Sequence, residues 1–109
     1  VRATLSEQGS GLIRSDIAYA KAWTCLAFNV SSNTLRDVFE GQPRLAPAVS
    51  GMQTMAGGKL VPTPGGMLIQ KDGKNIGAVG VTGDVSDQDE ICAIAGIEAS
   101  NLTPGHKSK

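Results

Sequence analysis

Residues 57–99 decide the fold, and they read GGKLVPTPGGMLIQKDGKNIGAVGVTGDVSDQDEICAIAGIEA. Residues 67–70 form a short apolar run that predicts a strand. Asp72 and Gly73 follow it and predict a type I′ turn, because both central residues of that turn need a positive φ angle. Residues 75–82 predict the return strand. The stretch therefore predicts a β-hairpin at the centre of the domain.

The two predicted strands are apolar at almost every position instead of alternating cleanly with polar residues. Such strands are typical of a sheet that is covered on both faces. The return strand is also rich in small residues, namely Gly77, Ala78 and Gly80. Small residues leave room for another element to lie close against the sheet. We therefore expect cover on both faces, from helices of this chain or from another subunit.

A helix is predicted after the hairpin, with Ser86 as its N-cap. Asp87, Asp89 and Glu90 cluster in its first turn, where carboxylates complement the positive end of the helix dipole. An alternative interpretation is that the acidic residues between positions 84 and 90 bind a hard cation. Their spacing does not match that of a calcium-binding loop, so we predict no metal site.

The sequence before residue 57 predicts mostly helices. Residues 1–7 alternate in polarity like a strand, and Ser15 is expected to cap an alanine-rich helix. A second helix is predicted over residues 32–40, and Pro47 suits the first turn of a short helix. The order of elements predicts the α/β (α+β) class, an antiparallel sheet with helices packed on it.

Composition limits the classes of function. A chain of 109 residues is long enough for one domain, which we place at residues 1–102, followed by a mobile tail at residues 103–109. The formal net charge is zero, so we expect no nucleic-acid partner. No apolar run is long enough to span a membrane and no signal peptide is evident, which predicts a cytoplasmic protein. Cys25 and Cys92 are expected to be buried free thiols.

A small anionic ligand is one functional hypothesis. The backbone after Gly83 leads into a helix N-terminus, whose free N–H groups favour anions, and paired glycines let a ligand approach the backbone closely. Two cationic residues one to two turns apart on the first long helix could supply positive charge. The residues predicted to bind a ligand are Arg14, Lys21, Gly65, Gly66, Gly83 and Glu90.

Catalysis is the alternative hypothesis. Lys21 and Glu90 could form an acid–base pair that acts on a small carboxylate, if the fold brings them together. A buried lysine–glutamate pair is also a common structural device. The sequence contains no set of nucleophile, base and orienting residue, so whether the protein is an enzyme stays open.

The chain resembles the GlcG/HbpS family, a family of haem-binding or haem-degrading domains that also forms the C-terminal domain of PduO-type proteins. Three segments carry the resemblance in order: residues 14–22 (RSDIAYAKA), residues 57–66 (GGKLVPTPGG) and residues 76–97, which begin IGAVGVTG and end AGI. The resemblance implies a profilin-like layout with about five antiparallel strands and a tendency to form symmetric oligomers. It also implies haem or another tetrapyrrole as a candidate ligand, or as the substrate if Lys21 and Glu90 act as an acid–base pair.

Two expectations follow from the resemblance. Family members are expected to begin with an amphipathic helix and a first strand that this chain lacks, so we predict a homo-oligomer in which another copy covers the sheet. Haem ligation needs a nitrogen, sulfur or oxygen donor. The candidate donors in this sequence are His106 in the predicted tail and Tyr19, Cys25, Met52 and Met55.

Overall fold

A computed structural model describes residues 3–83 and 85–105 of the chain. Within these residues, four helices and three strands form an α+β fold. In chain order they are α1 (Arg14–Phe28), α2 (Ser32–Glu40), a 3-10 turn (Pro43–Leu45), α3 (Ala46–Met55), β1 (Gly66–Lys71), β2 (Lys74–Gly80), α4 (Ser86–Ala99) and β3 (Thr103–Pro104). The predicted fold class is confirmed, as are the second helix and the position of Pro47 in the first turn of α3.

The predicted hairpin of β1 and β2 is present, with β1 in the middle of the sheet and β2 at one edge. The strands are antiparallel, with Gly66 opposite Gly80 at one end and Lys71 opposite Lys74 at the turn. Asp72 has a φ angle of 53° and Gly73 one of 77°, which are the positive values that a type I′ turn requires. The strand order is β2-β1-β3.

The sheet is covered on both faces, which confirms the interpretation of its apolar strands. On one face, α1 lies very close to the strands: a Cβ atom at Gly66 would be 2.5 Å from the carbonyl oxygen of Lys21, and one at Gly80 would overlap that of Ala18. On the other face, Met67 of β1 packs with Ala93 and Ile97 of α4. Glycine at the crossing points is what admits α1.

The predicted number of strands is wrong, because the described residues contain three strands and not five. Residues 3–7, which alternate in polarity, are exposed and form no strand. Alternation in polarity does not by itself make a strand, because a strand also needs backbone hydrogen bonds to a neighbouring strand. Conversely, Thr103 and Pro104, which we assigned to the tail, pair with β1 as β3. Residues 106–109 lie outside the described residues.

Neither predicted serine cap is observed. Ile13 and Val85 occupy the N-cap positions of α1 and α4, and neither helix has a side-chain cap. The carbonyl of Val85 already accepts hydrogen bonds from the N–H groups of Gln88 and Asp89, so Ser86 lies inside the first turn. Asp87 and Asp89 occupy that turn, as expected from the helix dipole.

The two cysteines differ in environment. Cys25 is buried between α1 and the sheet, whereas Cys92 is exposed on α4, so the prediction of two buried thiols is wrong for Cys92. Burial raises the pKa of the Cys25 thiol to about 11, against the smaller opposing effect of hydrogen bonding with Ser32.

We expect the native protein to have one thiol that is readily alkylated at neutral pH. Cys92 is accessible, whereas Cys25 is both buried and held as the unreactive neutral thiol. Mass spectrometry after brief iodoacetamide treatment, at a concentration low enough to keep the chain monomeric, should find one adduct on the native chain and two after denaturation. A Cys92→Ser variant should give none in the native state. Equal labelling of both cysteines in the native chain would contradict this burial of Cys25.

Candidate functional site

A buried ion pair joins α1, α4 and the end of the hairpin. The Nζ atom of Lys21 lies 3.2 Å from the Oδ2 atom of Asp89, and the two side chains are 3% and 4% exposed. The same ammonium group donates a hydrogen bond of 2.9 Å to the carbonyl oxygen of Val81, just after β2. One lysine therefore connects three parts of the fold. We call Lys21, Asp89, Val81 and the glycines beside them the lysine junction.

The glycines of the lysine junction are enclosed. Gly65 has a φ angle of 122°, and a Cβ atom there would lie 2.8 Å from the Nζ atom of Lys21 and 3.1 Å from the Cβ of Asp89. The N–H of Gly66 donates to the Oγ atom of Ser32 at 2.9 Å, and that hydroxyl lies 3.1 Å from the carbonyl oxygen of Gly66. Both glycines are thus packed against protein groups.

The structure brings together three of the six predicted ligand-binding residues, Lys21, Gly65 and Gly66. The carboxylate paired with Lys21 belongs to Asp89 and not to Glu90, which is half-buried at the next position of α4. Arg14 is exposed at the start of α1, about 10 Å along the helix axis from Lys21. Gly83 is exposed, and a Cβ atom there would have no neighbour within 4 Å. The ligand-binding role of these residues stays a prediction.

An apolar pocket of about 290 Å³, which we call the α1–α3 pocket, lies between α1 and α3. It is lined by Trp23, Ala27, Phe28, Met52, Met55, Ala56 and Leu60. Helix α3 carries no charged residue, and none of its residues is buried. Such a helix, apolar but exposed, is typical of a surface that receives a ligand or partner.

Hydrogen bonds hold the walls of the α1–α3 pocket in place. The buried hydroxyl of Thr24 on α1 accepts from the N–H of Val61 at 2.8 Å, and its one proton is shared between the carbonyl oxygens of Ala20 at 2.8 Å and Lys59 at 3.0 Å. The side-chain amide of Gln53 on α3 forms two bonds of 2.8 and 2.9 Å with the backbone of Leu60. Residues 59–61 therefore connect both helices through the backbone.

The α1–α3 pocket has a cation, Lys59, beside it and two possible iron ligands, Met52 and Met55, in its lining. The Nζ atom of Lys59 lies 5.4 Å from the centroid of the Trp23 ring, a cation–π contact beside the pocket. Met52 is half-buried, and Met55 is 87% exposed. Both methionines were predicted as donors from the sequence, but their proximity to Trp23 and Lys59 was not predicted. The spacing of two methionines on an uncharged helix was the one available signal.

A second apolar groove, which we call the α4–sheet groove, has a volume of about 380 Å³. It is lined by Ile69, Val79, Val81, Cys92, Ala93, Gly96, Ile97, Ser100 and Leu102. This groove is the part of the sheet face that α4 leaves open. Neither this groove nor the α1–α3 pocket is lined by the predicted ligand-binding residues.

Among residues 3–83 and 85–105, no group of three or more His, Cys, Asp or Glu residues is placed to hold a metal ion. Two candidates of the sequence analysis, Asp84 and His106, lie outside that set. None of the helices in the same set has the length and hydropathy needed to cross a bilayer.

The antiparallel sheet, its helical cover and its two apolar pockets define an α+β domain with cavities of the size that small ligands occupy. The model of the family described as "Haem degrading protein HbpS-like" matches residues 1–98. The chain therefore belongs to the HbpS-like family, and the resemblance seen in the sequence is confirmed.

Individual relatives agree with this family. The chain is 35% identical over 91 residues to the corrinoid adenosyltransferase PduO of Salmonella typhimurium and 31% identical to that of Citrobacter freundii. The match covers 84% of this chain but 26% of each relative, so the chain spans about a quarter of their length. A solved structure, "Crystal Structure of PduOC:Heme Complex", matches with a TM-score of 0.79 and 32% identity, over 96% of this chain and 72% of that one.

Proposed function

We propose that this domain binds haem or a closely related tetrapyrrole. The observation that carries the proposal is the pair of apolar cavities, of about 290 and 380 Å³, each of which contains a sulfur donor among its lining residues. The family description and the haem complex of the related PduO domain support the same ligand class. A tetrapyrrole combines a flat apolar ring with acidic side groups and a metal that accepts axial donors.

The residues present fit such a group. Thioethers of Met52 and Met55 line one cavity and the thiol of Cys92 lines the other, and both sulfur types ligate haem iron in proteins. When bound, haem would supply a redox-active iron. The chain itself would supply an apolar wall and a sulfur donor for the iron.

Titration with haemin tests the proposal. We expect a saturable shift of the Soret band with a stoichiometry of one haem per chain. The same chain unfolded in guanidinium chloride is the control and should lose the shift, because the cavities exist only in the folded state. An unchanged Soret band with the folded chain would refute haem binding.

We further propose that two copies associate through the open side of the sheet. In the part of the chain that the structure describes, β2 pairs with β1 alone, and its residues 75–80 carry no charge. Natural edge strands are usually protected by charges, bulges or cover. The α4–sheet groove extends the same apolar surface, since Val79 and Val81 line it. A second copy would cover both features and continue the antiparallel sheet.

Sedimentation velocity tests this association, and we expect a dimer or larger species at micromolar concentration. A Ser100→Lys variant should favour the monomer, because it places a charge in the α4–sheet groove. Gln88→Lys, an exposed position of α4 outside the groove lining, is the matched control and should leave the assembly intact. A stable monomer of the unaltered chain at all concentrations would contradict the proposal.

A further inference from the structure

We propose that the α1–α3 pocket is the tetrapyrrole site, with the thioether of Met52 as the axial donor and the ammonium group of Lys59 as the partner of an acidic side group. This inference rests on the proposed function and assigns it to particular residues. The ligand of this pocket would therefore be a flat, anionic ring that carries a metal.

The α1–α3 pocket contains two candidate donors for the iron, and Met52 is the better held of the two. Of the three methionines, Met67 is fully buried in the core against α4 and cannot reach a ligand. Met52 and Met55 both line the α1–α3 pocket, one turn apart on α3. Met52 is half-buried, whereas the side chain of Met55 is 87% exposed, so Met52 is the better-held donor. Cys25 and Tyr19 line neither cavity.

A nearby cation supports the α1–α3 pocket. Among the described residues, neither cavity has a cationic side chain in its lining. The α1–α3 pocket has Lys59 beside it, held over the Trp23 ring. A ring with carboxylate substituents would place its apolar part between the helices and its carboxylates toward Lys59. Among the described residues, the α1–α3 pocket therefore combines a thioether donor in its lining with a cation beside it.

The pocket is also preorganised. The backbone of Lys59 is fixed to α1 through Thr24, and the backbone of Leu60 is fixed to α3 through Gln53. The donor helix, the cation and the aromatic wall are thus positioned before a ligand arrives, which reduces the ordering cost of binding.

Three methionine-to-leucine variants test the assignment, because leucine keeps the volume and removes the sulfur donor. With ferric haem, we expect the unaltered chain to show the near-infrared charge-transfer band of a thioether ligand. Met52→Leu should abolish that band or haem binding altogether, while Met55→Leu and the core control Met67→Leu should keep both. Lys59→Gln should keep the band and weaken haem affinity about fivefold, as for a partly exposed charge contact. Circular dichroism should show that all variants are folded.

The outcomes distinguish this inference from the proposed function. No Soret shift with the unaltered chain would refute tetrapyrrole binding itself. A Soret shift without the thioether band, or a band that persists in Met52→Leu, would overturn the assignment of Met52 and leave haem binding intact. Unchanged haem affinity in Lys59→Gln would overturn the role given to Lys59.

Discussion

Replacing Lys21 with alanine is expected to lower the free energy of unfolding by about 3–5 kcal/mol, because the change removes one member of a buried ion pair. The ammonium group that is lost pairs with the carboxylate of Asp89, whose side chain is 4% exposed. The carbonyl of Val81 would lose a hydrogen bond of 2.9 Å at the same time. The loss should therefore exceed that for any surface charge.

Urea denaturation followed by circular dichroism measures this effect. Arg36→Ala is the matched control, since Arg36 pairs with Asp37 at 3.1 Å on the surface, where the Asp37 side chain is 67% exposed. We expect that variant to lose less than about 1 kcal/mol. If Lys21→Ala were no more destabilising than Arg36→Ala, the lysine junction would not stabilise the contact between α1, α4 and the end of the hairpin.

Replacing Gly80 with alanine should be the second severe change. The new Cβ atom would overlap the backbone carbonyl oxygen of Ala18 and lie 3.0 Å from the backbone nitrogen of Ala22. Backbone atoms of a packed helix cannot rotate away as a flexible side chain can, so α1 would have to move off the sheet. We expect a loss at or above the usual 1–3 kcal/mol of overpacking, about 3 kcal/mol.

Gly77→Ala provides the matched control within β2. A Cβ atom at Gly77 would meet nothing within 4 Å, so alanine should be tolerated at that position. Thermal unfolding should show a large decrease in Tm for Gly80→Ala and little change for Gly77→Ala. Equal behaviour of the two variants would mean that α1 is not packed on the strands as closely as the structure indicates.

Local signals in the sequence were sufficient to predict the hairpin and the positions of the helices. Asp72 and Gly73 predicted their turn because the positive φ angles are a property of those two residues. Of the small residues of β2, Gly80 correctly indicated a close neighbour, which is α1, whereas a Cβ atom at Gly77 would meet nothing within 4 Å. In both cases, the structure follows from a property of the residue itself, either its backbone angle or its lack of a side chain.

The remaining features depend on contacts between distant residues. Nothing local distinguishes Asp89 from Glu90 as the partner of Lys21, because the choice depends on how α4 is rotated against α1. The number of strands depends on which segments reach the sheet, as the pairing of Thr103 with Gln70 shows. The α1–α3 pocket was missed for the same reason, since α1, α3 and residues 59–61 meet only in the folded chain.

The central claim is that the α1–α3 pocket binds the tetrapyrrole. Its most direct test is to follow the NMR signals of the three methionine methyl groups as a diamagnetic protoporphyrin is added. With ¹³C-methyl methionine, the resonances of Met52 and Met55 should shift strongly because both line the α1–α3 pocket and would lie beside the ring. The resonance of Met67, buried on the α4 side of the sheet, should move little. Methyl signals of Met52 and Met55 that stay in place at saturating ligand would contradict the account.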